Sequence, residues 1–339
     1  MSTNVMTAQD CRTAPGRPAS VRAPSQLPAD DALAWLRESR PVIMAALQEH
    51  GALHLEGLPI RTAEDFARAR DVLLTEPASY QEKATPRSDF GGGVFSSTDL
   101  PPAQPIRQHN ENSYTLTFPG LLLFGCLVAP ADGGATPVAD CRKVLEAIPE
   151  ALLHRFRTHG WALTRTYSDT ISLDWRTALG VDTDDAALRY CEEHRIAPER
   201  LPDGAFRTTQ TRSAVIHHPV TGEAVWFNHA AFWSEWSLDP AIREVLVDEL
   251  GPERLPFNTS FGDGEPLRRA DVDALNAAYE LATVRAPWSV GDLLLVDNVL
   301  CAHGREAYRG DRRIVVAMGQ PTAVADCAPT VPATAGLRR

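Results

Sequence analysis

The run Leu121–Val128 (LLLFGCLV) is apolar over almost its whole length and lies between Pro119-Gly120 and the turn-forming stretch Pro130–Gly134. Apolar runs of that length, closed at both ends by proline and glycine, read as buried strands. Far along the chain Gly291–Asn298 (GDLLLVDN) has the same character. The chain therefore carries buried strands at two widely separated places, and the polar residues that flank them become the candidates for chemistry.

His109 and Glu111 stand just before the first run, and Cys301-Ala302-His303-Gly304-Arg305 follows the second. In an extended segment residues two apart share a face, so His109 and Glu111 can converge on one point; a helix would set them about 200° apart. An imidazole and a carboxylate together suit a transition metal such as iron better than the all-oxygen sites of calcium or magnesium. Alone, the pair also fits a surface strand with two polar residues facing water. His303 is the natural third ligand, and two histidines with one carboxylate on one face of an octahedral ion leave three positions open, as in non-haem iron oxygenases.

Several further segments fall in one order along the chain: His109-Asn110-Glu111-Asn112-Ser113-Tyr114, Gly133-Gly134-Ala135-Thr136, Trp226-Phe227-Asn228, Trp288 with Gly291-Asp292, Asp297-Asn298, and His303-Gly304-Arg305 leading to Arg312-Arg313. In these the sequence resembles the taurine dioxygenase-like (TauD/TfdA, clavaminate synthase-like) group of iron(II)- and 2-oxoglutarate-dependent oxygenases. It is most similar to the branch acting on amino acids in bacterial natural-product pathways, typified by the syringomycin-pathway aspartyl hydroxylase. The resemblance runs from roughly residue 32 to 320 and implies a mainly β fold with flanking helices around a double-stranded β-helix, or jelly roll.

It also implies roles. Iron(II) would be held by His109, Glu111 and His303, with 2-oxoglutarate filling two of the open positions and dioxygen the last. The remote carboxylate of 2-oxoglutarate calls for a bidentate cation, which arginine supplies better than lysine. Adjacent strand residues point oppositely, so only one of Arg312 and Arg313 can serve; the family's Arg-Arg-Ile pattern selects Arg313, leaves Arg312 as runner-up, and adds a hydroxyl bond from Thr136. Ala317 would share the face of Arg313 and stands where the taurine enzyme carries a sulfonate-binding arginine, which argues against taurine. Glu111 occupies the position that halogenases of this fold leave to chloride. The expected outcome is hydroxylation of an unactivated carbon, with desaturation or ring formation as alternatives.

An amino-acid substrate, free or tethered to a carrier protein, needs a cation for its carboxylate and acceptors for its ammonium. Arg305, Arg165, Arg207 and Arg212 are the candidate cations, and Asn112, Tyr114 and Asn228 the polar partners. His217-His218 is discounted as a ligand pair because adjacent residues of an extended chain diverge; His229 reads as packing beside the site. A non-catalytic or metal-sensing barrel and a zinc hydrolase are the readings from other classes, and neither accounts for Thr136 together with an arginine.

The formal net charge of −11 argues against nucleic acid or an anionic membrane as partner. The six cysteines show no paired spacing, which fits reduced thiols in a cytoplasmic protein. Residues 1–28, rich in Ser, Ala, Pro and Arg without periodicity, read as a disordered leader. Residues 29–322 form one oxygenase domain with a long insertion over about 160–290, and 323–339 a flexible C-terminal tail. Within the domain, a helix is expected from Ala29 with an aspartate cap, a strand over Gly51–Leu55, a second helix opening at Thr62, and a third over Val144–Arg157. The glycine-bearing stretch 78–108, which includes Pro86-Arg87-Ser88, reads as a lid over the site, and Asp182–Asp185 as a solvated turn.

Overall fold

A computed structural model describes residues 5–78, 82, 84, 87–168 and 171–338 of the chain. The expectations for residues 1–4, for Pro86 and for residues 79–81, 83 and 85 of the lid lie outside the described residues.

The Leu121–Val128 run lies in the longest strand, Thr117–Val128, at the middle of a six-stranded sheet. On one side it pairs antiparallel with Leu293–Asp297, on the other with Arg313–Ala323. Alternation along these strands sorts their side chains into two cores. Leu122, Phe124, Cys126, Leu294, Val296, Ile314, Val316 and Met318 form an inner cluster with Val138 and Cys301 of a second, four-stranded sheet. Leu121, Leu123, Leu293, Leu295, Val315 and Ala317 pack outward under the helices Ala29–His50 and Ala63–Leu73. Gly125 permits that helical layer to close in, because a β-carbon there would sit 2.4 Å from the Phe66 ring. The protein is mainly β with flanking helices, as expected.

The second sheet joins Ile106–His109, Cys301–Arg305, Val138–Asp140 and Thr283–Val284, so it brings together the segments on either side of both apolar runs. Much of the 160–290 insertion builds a further sheet from Phe257–Phe261, Trp161–Thr166 and Phe206–Arg212. A single apolar cluster runs from Tyr114 and Phe118 through Trp161, Trp226 and Phe261 to Ala302, fusing the insertion to the two-sheet body.

Several expectations need correcting. The leader is not structureless: Ala19–Arg22 adds a parallel strand beside Ala52–Glu56, and Met6 is buried. Nor is the tail free, since Thr334–Ala335 pairs with the Phe206–Arg212 strand and Val331 is buried. The first helix is preceded by Pro28, whose side chain makes no cap, while Asp30 and Asp31 lie in its first turn, where their charge favours the helix dipole. Thr62 caps the second helix by accepting from the Asp65 N–H. The expected third helix is two, Cys141–Ala147 and Glu150–His159, broken at Pro149, whose ring disfavours helical geometry for Ile148. Asp184 and Asp185 open a helix capped by Thr183 rather than a turn. All six cysteines are free, and no helix of the described residues is long and apolar enough to cross a membrane.

Candidate metal and cosubstrate site

His109 ends the Ile106–His109 strand and His303 lies opposite it in the antiparallel pairing with Cys301–Arg305. Residues opposed across a ladder share a face, and the two rings lie 4.5 Å apart. Glu111 arrives differently from the expected extended pair. The strand stops at His109, and Glu111 sits in a turn whose next residue, Asn112, has φ +53°. The turn is clamped by Asn298: its Oδ1 accepts from the Glu111 N–H at 2.7 Å, and its Nδ2 donates to the carbonyls of Glu111 and Pro119 at 2.9 and 2.8 Å. Asn110 closes the clamp by donating to the Asn298 carbonyl at 2.8 Å. Both asparagines are fully buried.

One ligand atom from each of His109, Glu111 and His303 lies within 4.8 Å of the others, and all three residues are buried. The donor set fits a divalent transition metal. The His109 Nδ1 lies 2.9 Å from the Arg107 carbonyl, which requires the proton on Nδ1 and leaves the Nε2 lone pair for an ion. Burial holds the pKa of His109 below and that of His303 well below the usual imidazole value, with the neighbouring His109 and Arg87 adding to the effect at His303. Both rings are thus kept neutral, the state in which they ligate.

The three residues open onto a cavity walled by Phe124, Phe232, Trp233, Leu100 and Ile106 and by the polar residues Ser97, Thr136, Arg87, Arg305 and Arg312. On the cavity wall Arg312 donates from Nε to the Gly134 carbonyl at 2.9 Å and from its terminal nitrogens to Ser97 at 3.3 Å and Thr136 at 3.4 Å. Burial, followed by the nearby Arg305 charge, pulls its pKa down to about 10. Gly134, at φ +69°, is packed closely on this side, where a β-carbon would meet Pro130 Cγ and Tyr308 Cβ at 2.9 Å and Arg312 Cδ at 3.2 Å. Thr136 is itself held by the Trp288 indole at 3.3 Å; Trp288 packs edge-on against His54, whose Nε2 lies 3.4 Å from Asp292.

The geometry reverses the choice between the two arginines. Arg313 is exposed, and Arg312 enters the cavity just before the strand begins. Arg312 shares the parity of the inward Ile314, Val316 and Met318, and Arg313 that of the outward Val315 and Ala317, so alternation along the strand accounts for both. Ala317 does share the face of Arg313, but that face is the helix-covered one, away from the cavity, so its identity says nothing about taurine.

Of the expected substrate contacts, Tyr114 and Arg305 line the cavity. Arg305 gives hydrogen bonds to the carbonyls of Leu100 and Pro101 at 3.0 and 2.7 Å, and to that of Gln104, so it ties down the 100–104 loop. The others lie outside the cavity wall. Asn228 bridges the Ala214 carbonyl and the Ala230 N–H. Arg212, buried, donates to the carbonyls of Tyr114 and His194 at 2.7 and 2.9 Å. Arg165 lies over the Tyr167 and Phe257 rings, Arg207 pairs with Glu199 at 2.7 Å, and Asn112 serves the turn by accepting from Thr115.

His229 packs beside the site, its ring 5.2 Å from that of His109 and its Nδ1 2.6 Å from Ser113 Oγ. His217 meets the Ala328 carbonyl and His218 the Asp297 carboxylate, at 2.9 and 3.1 Å, on separate errands. Sequence reasoning passed over Phe124, Phe232 and Arg87 as cavity residues. Phe124 carried a usable signal, since it falls on the inward face of its strand; the other two come from irregular segments that have none.

Comparisons with known proteins agree with this geometry. The family model described as "Taurine catabolism dioxygenase TauD, TfdA family" matches residues 12–318. The dapdiamide synthesis protein DdaC of Enterobacter agglomerans is 34% identical over 275 residues, covering 81% of this chain and 84% of that protein. A clavaminate synthase-like protein of Arabidopsis thaliana is 26% identical over 297 residues, 84% of this chain and 86% of its own. Among solved structures, PvcB of Pseudomonas aeruginosa superposes with a TM-score of 0.52 at 15% identity over 100% of this chain and 99% of that one. AAD-2 in complex with Mn(II) and N-oxalylglycine gives 0.51 at 16% identity, over 95% and 98%.

Proposed function

Because this chain belongs to the TauD/TfdA family of dioxygenases and works with iron(II), 2-oxoglutarate and dioxygen, we propose that it hydroxylates an unactivated carbon of an amino acid or amino-acid-derived substrate in natural-product biosynthesis. The observation that carries this reading is the meeting of the buried His109, Glu111 and His303 in one cavity whose wall also presents Arg312 and Thr136. The two-sheet body with a shared inner core is what a double-stranded β-helix requires. Similarity to a dapdiamide synthesis protein supports the biosynthetic setting.

In this reading His109, Glu111 and His303 hold the iron. Arg312 takes the remote carboxylate of 2-oxoglutarate with help from Thr136 and Ser97. A guanidinium suits that carboxylate through charge-assisted bonds, and burial beneath Gly134 keeps it pointed inward. Iron with 2-oxoglutarate and dioxygen supplies an oxidant strong enough for an aliphatic C–H bond, and succinate and carbon dioxide are the coproducts. The protein holds one substrate carbon near the metal while Phe124, Phe232, Trp233 and Leu100 exclude water. Loop residues Thr98 and Leu100, which line the cavity, form the lid.

The test is succinate release screened across free amino acids and their carrier-bound forms. One member raising turnover well above the uncoupled level would name the substrate, and no stimulation by any would refute the substrate class.

A further inference from the structure

His229 lines the cavity although only 3% of it is exposed. Its imidazole is stacked on the Trp233 indole at 4.3 Å and meets the Phe232 and Tyr114 rings edge-on at 5.4 and 5.3 Å. The backbone beneath is equally fixed. The His229 carbonyl accepts from the Trp233 N–H at 3.0 Å, and Asn228 bridges the Ala214 carbonyl and the Ala230 N–H. Such packing sets the direction of the ring, and with it the direction of both nitrogens.

Nδ1 is engaged, 2.6 Å from Ser113 Oγ. Ser113 is 3% exposed, and His229 Nδ1 is the one acceptor that the described residues offer its hydroxyl. A buried hydroxyl gives its proton to the acceptor it has, so Ser113 donates and Nδ1 accepts. Nδ1 therefore carries no proton, the ring is neutral, and Nε2 bears the N–H. That N–H has no acceptor among the described residues. It keeps accessible surface, unlike the sealed Nδ1 of His303, and the space that the residue borders is the cavity. His229 thus presents a neutral donor beside His109, whose ring is 5.2 Å away.

The geometry points to His229 Nε2 as the donor that receives a carbonyl oxygen of the primary substrate. This rests on the oxygenase reading of the cavity. A carboxylate, an amide and a thioester all offer that oxygen, and the neutral N–H brings no charge of its own that has to be balanced. A compound without the carbonyl leaves the N–H covered and unpaired, a loss of about tenfold in affinity. Ser113 acts through the ring: it is a positioning residue that fixes the tautomer, while His229 touches the substrate.

Two measurements on the full chain test it. In the first, long-range proton–nitrogen correlation spectra of the labelled, Zn(II)-loaded protein read the tautomer of His229, assigned by the signal that His229→Gln removes. A neutral ring with its proton on Nε2 is expected. A proton on Nδ1, or on both nitrogens, overturns the proposal. In the second, the anaerobic iron(II)–2-oxoglutarate absorption band is titrated with amino acids, with their carboxamides, and with the amines that remain when the carboxyl carbon is removed. An acid or its carboxamide should perturb the wild-type band about tenfold more effectively than the matching amine, and the better of the two tells a carboxylate from a neutral carbonyl. His229→Phe should abolish that preference, and His229→Gln, whose amide nitrogen can donate from the place of Nε2, should partly restore it. Where His229→Phe forms no band, His229→Asn, with its amide one carbon further from the cavity, takes its place against His229→Gln. The wild-type preference kept in the Phe or Asn variant, or a band that forms but answers to no carbonyl compound, defeats the assignment to His229 and leaves the oxygenase reading standing. Failure of the wild-type band to form defeats both.

Discussion

Asn298 grips Glu111 from both sides of its peptide, accepting from the N–H at 2.7 Å and donating to the carbonyl at 2.9 Å. The sole carboxylate of the metal set is thus aimed by a residue 187 positions away, in the strand connection that also leads to His303. Asn298→Ala should weaken Mn(II) binding by about 10- to 100-fold, the usual cost of losing a partner that orients a ligand. Calorimetry checks this, and unchanged affinity would show that the turn holds Glu111 unaided.

Arg312 and Arg313 should separate cleanly in function. Charge-assisted hydrogen bonds contribute about 1.5–3 kcal/mol, so Arg312→Ala should raise the 2-oxoglutarate needed for half-maximal succinate formation by roughly 10- to 100-fold. Arg313, exposed at the strand's start, should give a change under about twofold on replacement, as surface substitutions do. The opposite ranking would restore the choice that the Arg-Arg-Ile pattern suggested.

That pair also shows where the sequence stops being legible. Apolar runs named the central strands, and ladder pairing then set His303 opposite His109, with a register shift just beyond His303. The position of Glu111 was foreseen on a wrong premise: a clamped turn, rather than strand alternation, brings it in. Arg312 was passed over because the strand that follows is apolar on both faces, so its sequence does not say that Ile314, Val316 and Met318, which share the parity of Arg312, are the inward set. The leader and tail strands were missed because their order comes from pairing with a sheet edge, which composition does not encode. Arg165, Arg207 and Arg212 fall outside the cavity wall, and the sequence could not show it, since a guanidinium at 212 that donates to backbone carbonyls looks, as sequence, like one that binds a ligand.

Acid should loosen the metal-free protein. Burial lowers the pKa values of His109, His229 and His303 in the fold below the 6.5 of the free side chain, and for His229 and His303 the displacement is large. As pH falls through 6.5 the unfolded chain takes up protons that the folded one refuses, so their contribution to stability is intact above 6.5 and lost progressively below it. Thermal unfolding followed from about pH 8 down to about pH 5.5 should show a falling Tm below the histidine value, with a shallower fall in His229→Phe. A flat or rising profile would contradict the neutral state assigned to these rings.

Phe66 should be the most sensitive point of the helical layer. It is fully buried and lies against the backbone of the central strand at Gly125. Phe66→Ala should cost about 3–5 kcal/mol, read as a shift in the urea midpoint. Gly125→Ala should destabilise as well, because its methyl group would enter the space of the Phe66 ring. A neutral Gly125→Ala would mean that the helix is free to ride outward.

The most direct measurement is an anaerobic absorption spectrum of the protein with iron(II) and 2-oxoglutarate, beside the same spectrum for His303→Ala. A weak visible charge-transfer band in the wild type, absent from the variant, is the predicted result. No band in the wild type, or an equal band in both, would contradict a cosubstrate-bearing iron centre built on His109, Glu111 and His303.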